Sequence, residues 1–227
     1  RKYITKNLGA TMNDYIGPHQ NQPIAATGLE PNKAKKAMIM IHGRGASAQS
    51  ILGLSKEFMN IENFTFIAPQ ASGHTWYPYS FLAPPSQNQP GIDSGLKAIS
   101  DIIGKLNDEG ISNEHIFLLG FSQGACLASE FVARNPSTYA GLIALSGGLI
   151  GDNIDINSYQ GDLQKTPVFL GCSNIDSHIP KERVDESAEV FEKLNAEVIK
   201  KLYPGMGHLV NEDEIININK IINDSLG

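Results

Sequence analysis

Cysteine and basic charge are both scarce in this sequence, and each scarcity excludes a class of protein. The 227 residues include only two cysteines, Cys126 and Cys172, which lie beside apolar segments. Their number and spacing provide neither a disulfide framework nor a zinc site. The formal net charge is -6, and no basic cluster offsets it. Nucleic acid and anionic membrane surfaces are therefore not expected as partners.

Long hydrophobic runs are also absent. No apolar run approaches the roughly 20 residues that a membrane-spanning helix needs, so no integral membrane segment is expected. Hydrophobic residues make up 41% and charged residues 19% of the chain, which is typical of a globular protein. Because no linker or internal repeat divides the sequence, we expect a single domain over residues 1–227. The chain begins with Arg1 rather than Met, so we expect that an upstream segment was removed, and we expect a cytoplasmic location.

Short apolar runs alternate with segments of helical period along the chain. Continuous apolar runs of this kind fit strands that are covered on both faces, as in a parallel sheet. They predict strands at residues 37–43, 64–70, 115–122, 139–148, 166–173 and 196–205. Apolar residues at helical spacing predict helices within residues 51–59, 92–106, 125–132, 184–194 and 215–222. The alternation predicts an α/β fold with a mostly parallel, doubly wound sheet and helices on both faces.

The segment at residues 71–91 interrupts this alternation. It holds four prolines and a cluster of large aromatic residues, namely Trp76, Tyr77, Tyr79 and Phe81. Connections this long without regular secondary structure are usually functional or disordered, and the aromatic residues favour an ordered loop. We interpret Trp76, Tyr77 and Phe81 as substrate-binding residues. The alternative is that the aromatic side chains simply anchor the loop to the core.

Ser122 is the candidate nucleophile. It stands in "LLGFSQGACLASEF" (118–131), between an apolar strand and an Ala-rich helical run. Gly-x-Ser-x-Gly in that context is typical of the nucleophile elbow of α/β-hydrolases, where Gly120 and Gly124 allow strand and helix to approach closely. A purely structural turn is the alternative. Ser146 in "ALSGG" also ends a strand, but it lacks the first glycine and the following helix, so we interpret it as a strand-end turn.

A serine hydroxyl needs a general base at neutral pH, and in this fold the chain order is serine, acid, histidine. Two histidines follow Ser122, namely His178 and His208. His208 lies in "YPGMGHLVNEDEI", past the last predicted strand and at the start of the last predicted helix, and is the expected base. The alternative for His208 is a surface residue at a helix start. His178 comes one strand too early and is expected in a loop or the pocket.

The acid is expected after a strand that lies between the serine and the histidine. Asp176 in "VFLGCSNIDSHIP" follows the penultimate strand and is the preferred candidate. Asp152 is the next candidate, and with Asp155 it follows the preceding strand, a position that some hydrolases use. The carboxylate would fix the His208 tautomer and stabilise the imidazolium. Any one of these aspartates has the alternative of a solvated loop residue.

An oxyanion intermediate needs hydrogen-bond donors. The backbone N–H of Gln123, directly after the nucleophile, is one candidate. The second is the N–H of Arg44 in "IHGRGAS" (41–47), the loop after an early strand. This position makes His42 a structural loop residue rather than the base. The Arg44 guanidinium has two open roles, a salt bridge with a nearby acid or an ion pair with a substrate carboxylate or phosphate.

Together these segments resemble the carboxylesterase/phospholipase family of α/β-hydrolases, which includes the acyl-protein thioesterases. "HGRGAS" is similar to that family's oxyanion loop, "GFSQGA" to its elbow, "IDSHIP" to its acid loop and "YPGMGH" to its histidine turn. The resemblance implies a Ser122–His208–Asp176 triad, an oxyanion site at Arg44 and Gln123, and a place near the acyl group for Trp76. It implies no cofactor and no metal. The expected partners are a small ester or thioester substrate and a second copy of the chain in a homodimer.

The sequence departs from the thioesterase pattern at three places. Position 44 is arginine where thioesterases commonly have an apolar residue, "GCSN" replaces the usual lead-in to the acid, and the 71–91 loop is rich in proline and aromatics. We therefore expect a serine esterase for small carboxylic esters, with lysophospholipase or acyl-protein thioesterase as the alternative. A dienelactone-hydrolase-like enzyme is disfavoured because those enzymes carry cysteine at the elbow. A non-catalytic hydrolase-fold module is disfavoured because all three triad residues are present.

Overall fold

The computed structural model describes residues 17–226, and within them seven strands form one sheet. The strands are β1 (Ile24–Gly28), β2 (Lys36–Ile41), β3 (Phe64–Pro69), β4 (Ile116–Phe121), β5 (Gly141–Leu145), β6 (Pro167–Ser173) and β7 (Glu197–Tyr203). Their order across the sheet is β1-β3-β2-β4-β5-β6-β7. Strand β1 runs antiparallel to β3, and all other neighbours are parallel. The expected mostly parallel sheet is therefore confirmed.

In the part of the chain that the structure describes, five α-helices cover the two faces of this sheet. They are α1 (Ala48–Leu52), α2 (Gly91–Asp108), α3 (Gln123–Arg134), α4 (Lys181–Lys193) and α5 (Glu212–Asp224). Buried residues of α2, α3 and α4 form one apolar cluster with one face of the sheet, and those of α1 and α5 form another with the opposite face. Consecutive residues of β2 face opposite sides of the sheet, so Ile39 lies in the first cluster and Met38 in the second. Within residues 17–226, no helix is long and apolar enough to cross a membrane.

Two elements differ from the sequence prediction. Strand β1 was not predicted, because it is a mostly exposed edge strand whose "IAATG" carries no apolar run. The helix expected over residues 51–59 is the short α1, which begins after a Ser47 capping box and passes into a 3-10 turn at Gly53–Glu57. Phe58 is extended and ends that turn. The apolar spacing reflected the buried face of Ile51 and Phe58, not the length of a helix.

The loops that carry the candidate site residues all follow the carboxyl ends of strands, which lie along one edge of the sheet. Strand β4 pairs with β2 and β5, with Gly120 opposite Ile41 and Phe121 opposite Leu145. Strand β6 pairs with β7 up to Ser173 opposite Tyr203. Because parallel strands share the direction of their carboxyl ends, the loops that follow β2, β4, β6 and β7 all lie at this edge. The 71–91 segment follows β3 and contains two 3-10 turns, at Ser72–His74 and Pro85–Asn88.

The absence of a side chain at Gly124 allows α3 to pack closely against the sheet, and a substitution there tests this contact. A methyl group at Gly124 would overlap the carbonyl oxygen of Ile41, whereas one at Gly104 in α2 would meet nothing within 4 Å. We expect Gly124→Ala to lower the free energy of unfolding by about 3 kcal/mol or more, because backbone has to shift. Gly104→Ala should raise it by about 0.5–1 kcal/mol, since alanine is the better helix former. Urea unfolding measures both, and a similar small effect of the two changes would contradict the close approach.

Candidate active site

Ser122 occupies the tight turn between β4 and α3. Its backbone has φ 55° and ψ -121°, a conformation that L-residues rarely adopt. The turn is held by hydrogen bonds from the Ser122 N–H to the Leu145 carbonyl (2.9 Å) and from the Cys126 N–H to the Ser122 carbonyl (3.0 Å). A methyl group at Gly120 would overlap the Gly124 carbonyl, so the turn requires the glycine before the serine. The strand and helix therefore present the hydroxyl at the sheet edge.

A continuous chain of hydrogen bonds joins Ser122, His208 and Asp176. The Ser122 Oγ lies 2.8 Å from the His208 Nε2, and the His208 Nδ1 lies 2.7 Å from the Asp176 Oδ2. Because a carboxylate can only accept, Nδ1 carries the imidazole proton and Nε2 turns its lone pair towards the serine hydroxyl. An imidazole so oriented can remove the hydroxyl proton during attack on an ester.

The Asp176 carboxylate is completely buried as a side chain. Burial by itself raises the pKa of this group, but hydrogen bonds from His208 and from the N–H groups of His178 (2.8 Å) and Ile179 (3.1 Å) outweigh burial and hold the pKa below its usual value. The group therefore stays ionised at neutral pH. An ionised, fixed carboxylate can stabilise an imidazolium at His208.

Hydrogen bonds hold the loop that carries His208 against the end of β6. The Ser173 hydroxyl donates to the Met206 carbonyl, and the Gly205 N–H donates to the Asn174 side-chain oxygen (3.1 Å). The Asn174 N–H in turn donates to the Tyr203 carbonyl (3.1 Å). Ser173 and Asn174 belong to the "GCSN" that departs from the thioesterase pattern. These residues connect the acid loop to the histidine loop by direct contacts.

Two backbone N–H groups beside Ser122 are without an acceptor. They belong to Arg44, in the loop after β2, and to Gln123, the first residue of α3, and neither donates to any group within residues 17–226. Their neighbour Gly45 donates to the His74 carbonyl at 2.7 Å, which holds the loop in place. Unsatisfied N–H groups at a helix start are suited to binding a developing negative charge.

The Gln123 side chain has a role that the sequence did not reveal. Its Oε1 accepts from the Trp76 N–H (2.8 Å) and the Thr75 hydroxyl (3.2 Å), and its Nε2 donates to the Tyr77 carbonyl (2.8 Å). One buried amide therefore ties the 71–91 loop to the residue next to the nucleophile. From the sequence only the Gln123 N–H could be given a role, because a lone glutamine carries no periodic signal.

The Arg44 guanidinium also contacts the 71–91 loop. Its Nη1 donates to the Pro78 carbonyl (2.9 Å) and its Nη2 to the Tyr79 carbonyl (2.8 Å). Of the ion pairs formed within residues 17–226, none includes Arg44. The salt bridge considered as one role for this side chain is therefore not formed.

A cavity of about 420 Å³ opens beside Ser122 and His208. Tyr77 and Phe81 contribute to its wall, as does His178, whose ring centroid lies 5.0 Å from that of His208. Trp76 does not line the cavity, although it was expected to contact substrate. The Trp76 side chain is fully buried, and its indole N–H donates to the His42 carbonyl (2.9 Å). The structure therefore places Trp76 behind the wall, where it contacts the loop that follows β2.

Comparison with known proteins places this chain in one family. Residues 23–226 match the model of the phospholipase/carboxylesterase family. The chain belongs to this family. The acyl-protein thioesterase 1 of Kluyveromyces lactis is 30% identical over 212 residues, which cover 85% of this chain and 93% of that protein. A probable SOBER1-like carboxylesterase of Arabidopsis thaliana is 25% identical and covers 80% of this chain and 76% of its own length.

A solved structure agrees with this assignment. The phospholipase/carboxylesterase of Dyadobacter fermentans superimposes with a TM-score of 0.87 at 42% identity, covering 94% of this chain and all of that chain. The protein therefore has the α/β-hydrolase-type fold, and it is a hydrolase of the carboxylesterase and thioesterase type. The expectations of fold, family and enzyme class are confirmed.

The alternative site residues lie elsewhere in this esterase. Asp152 is exposed and makes no hydrogen bond to His208. Asp155 accepts from the Asn157 N–H at 2.9 Å, which caps a 3-10 turn. Ser146 is fully buried at the end of β5, and no helix follows it. Among residues 17–226, no group of three acidic, histidine or cysteine side chains is arranged to hold a metal ion.

Two buried histidines support the loop that follows β2. The His42 Nε2 accepts from the Ala71 N–H (3.1 Å), so the proton sits on Nδ1, which donates to the Gly43 carbonyl (2.8 Å). His19 accepts at Nδ1 from the Ser72 N–H (3.0 Å) and donates from Nε2 to the Trp76 carbonyl (2.9 Å). His19 could not be identified from the sequence, because nothing in its polar segment predicts a contact across 57 residues.

The neutral state of His42 predicts a loss of stability in mild acid. Burial lowers the pKa of His42, and the nearby His74 and His19 lower it further, against a hydrogen bond to Gly43 that raises it. Unfolded histidine titrates near 6.5. As the pH falls from about 6.5 towards the lowered folded pKa, the unfolded chain binds a proton that the folded chain does not, so stability is lost in that window.

Urea unfolding at pH 7.5 and 5.5 measures this loss. His42→Gln should be less stable at pH 7.5, but its further loss on acidification should be smaller than that of the natural protein. His115→Gln, which alters an exposed histidine, is the control and should follow the natural pH dependence. Parallel curves for the natural protein and His42→Gln would show that His42 is not the titrating group.

Proposed function

We propose that this chain is a serine carboxylesterase that hydrolyses small esters with short acyl or aryl groups. The observation that carries the proposal is the hydrogen-bonded series of Ser122, His208 and Asp176 beside the free N–H groups of Arg44 and Gln123. Each element is needed for acyl transfer through a covalent intermediate. The family supports ester or thioester hydrolysis in general, and the cavity supports a small substrate.

The reaction uses the chain's own groups and water. Ser122 Oγ attacks the ester carbonyl while His208 Nε2 takes the hydroxyl proton, and Asp176 stabilises the imidazolium. The N–H groups of Arg44 and Gln123 donate to the oxyanion. His208 then gives its proton to the leaving alcohol, which departs and leaves an acyl group on Ser122. A water molecule, deprotonated by His208, attacks that acyl group, and the carboxylic acid leaves as Ser122 regains its proton.

The triad residues can be tested by substitution. Ser122→Ala and His208→Ala should each lower kcat by roughly 10⁴ to 10⁶, and the double variant should be little worse, because the groups act as a unit. Asp176→Asn should lower kcat by roughly 10³ or more, since the amide favours the wrong His208 tautomer. Asp152→Asn is the matched control and should retain normal turnover. A large loss in Asp152→Asn with normal turnover in Asp176→Asn would reassign the acid.

A second candidate function is acyl-protein thioesterase. It is favoured by the Kluyveromyces lactis relative, which carries that name. The cavity favours the small-ester function, because its wall includes the rigid rings of Tyr77 and Phe81 and, among the described lining residues, only one branched aliphatic side chain, Ile179. Acyl-chain length therefore separates the two functions. The homodimer and the cytoplasmic location stay predictions.

Chain-length preference provides the test. Each methylene that fits the cavity contributes about 0.8 kcal/mol at most, so kcat/KM should rise over a few carbons and then level or fall. We expect the best p-nitrophenyl esters to carry acyl groups of roughly two to eight carbons, given that limited gain per methylene. Phe81→Ala should move the optimum to longer chains, because it removes part of the cavity wall.

Phe58→Ala is the matched control for Phe81→Ala. Both side chains are 6% exposed, but Phe58 packs on the opposite face of the sheet. Phe58→Ala should destabilise the protein without changing the preferred chain length. If kcat/KM rises steadily to palmitate below its micelle concentration, the small-ester proposal is wrong, and the thioesterase or lysophospholipase function replaces it.

A further inference from the structure

Arg44 places a fixed positive charge at the opening of the cavity that contains Ser122. The residue is exposed and lines that cavity. Its guanidinium donates to the carbonyls of Pro78 and Tyr79, and no carboxylate lies within ion-pair distance of it among residues 17–226. Carbonyl groups orient a guanidinium without neutralising its charge. The positive charge is therefore held in one position and left uncompensated.

The rest of the cavity wall has no negative charge to compete with a ligand. None of the described residues that line the cavity is aspartate or glutamate. The nearest functional carboxylate, Asp176, has a fully buried side chain that is bonded to His208 on the side away from the cavity's serine. Among the described residues that line the cavity, Arg44 is the only arginine or lysine, in a chain whose net charge is -6. A positive charge at this position favours an anionic substrate over a neutral one.

The guanidinium retains donors for such a substrate. Arginine carries five N–H donors in a planar fork, and the loop carbonyls of Pro78 and Tyr79 are paired with Nη1 and Nη2. The remaining N–H groups can bind a carboxylate with two parallel hydrogen bonds, an arrangement for which arginine is better suited than lysine. Because the carbonyl contacts fix the side chain beforehand, little rotamer entropy is lost when the anion binds.

We propose that the Arg44 guanidinium binds a carboxylate carried by the substrate, so that the preferred substrates are small esters bearing a carboxylate on the acyl or the alcohol part. This specificity rests on the proposed ester hydrolysis at Ser122. It gives the Arg44 side chain a function separate from that of its backbone N–H. It also gives a chemical reason for arginine at a position where the thioesterases commonly carry an apolar residue.

Matched ester pairs test this specificity. Monomethyl adipate is compared with its neutral isostere methyl adipamate, and 4-acetoxybutyrate with 4-acetoxybutyramide, each followed by pH-stat titration. The natural enzyme should prefer the carboxylate in at least one pair by roughly tenfold or more in kcat/KM, as expected for a charge-assisted hydrogen bond. Arg44→Gln should abolish that preference, and Arg44→Lys should retain part of it, since it keeps the charge but loses the fork. Raising the salt concentration should weaken the preference in the natural enzyme.

Lys56→Gln is the control, because it removes the same charge from an exposed residue that does not line the cavity. It should change neither kcat/KM nor the ratio within a pair. A ratio that is the same in the natural enzyme and in Arg44→Gln, for both pairs, overturns the specificity while leaving the esterase in place. If the natural protein hydrolyses none of these esters although a fluorophosphonate probe labels Ser122, the specificity is overturned and the esterase proposal stands. If the probe does not label Ser122 either, the proposed function falls and the specificity with it.

Discussion

The turn at Ser122 is the constraint on which the layout of the site depends. Ser122 has a positive φ, unlike the residues of β4 before it and of α3 after it. For a non-glycine residue this backbone conformation carries a strain energy of about 1–3 kcal/mol. That conformation persists because the sheet and the helix over-determine it, with hydrogen bonds from both sides and no space for a side chain at Gly120 or Gly124. Strand, turn and helix therefore form one rigid unit. The backbone N–H of Gln123 belongs to the same unit, so the turn fixes its position relative to the Ser122 hydroxyl.

Neighbouring strands bring the remaining groups to this unit. The ends of β6 and β7 lie side by side, so the acid loop and the histidine loop begin next to one another, and Ser173 and Asn174 fasten them together. The 71–91 loop comes from β3 on the other side, and the Gln123 side chain connects it to the elbow. Each loop of the site is therefore held by hydrogen bonds from a residue close to Ser122 or Asp176. Loss of any one of these hydrogen bonds alters both the cavity and the positions of the triad side chains.

How much of this could be predicted from the sequence depends on the kind of signal. The five strands from β2 to β6 are buried, continuous apolar runs, so they could be predicted from the sequence, and the apolar residues of β7 also predict a strand although β7 is a partly exposed edge strand. The assignment of Ser122, Asp176 and His208 as a triad stays a prediction, and the hydrogen bonds between them agree with it. Strand β1 is exposed and carries no such run. Trp76 illustrates a different limit, because an aromatic residue near a site is equally compatible with lining the cavity and with supporting its wall. His19, Gln123 and Arg44 make their contacts across long sequence separations, and only the folded chain identifies their partners.

His42 and His208 both lie near the turn at Ser122, but their hydrogen-bond partners differ, and the partners determine what each imidazole can do. In His42, one nitrogen accepts a backbone N–H and the other donates to a backbone carbonyl, so both nitrogens are occupied by neutral partners. A proton added to Nε2 would face the Ala71 N–H, and burial opposes the charge further. In His208, Nδ1 faces a carboxylate, and Nε2 faces a hydroxyl that can give up its proton. Gaining a proton breaks the contacts of His42 but strengthens the ion pair of His208 with Asp176. Of the two imidazoles, only that of His208 can therefore carry a transient positive charge without disrupting the loop that holds it.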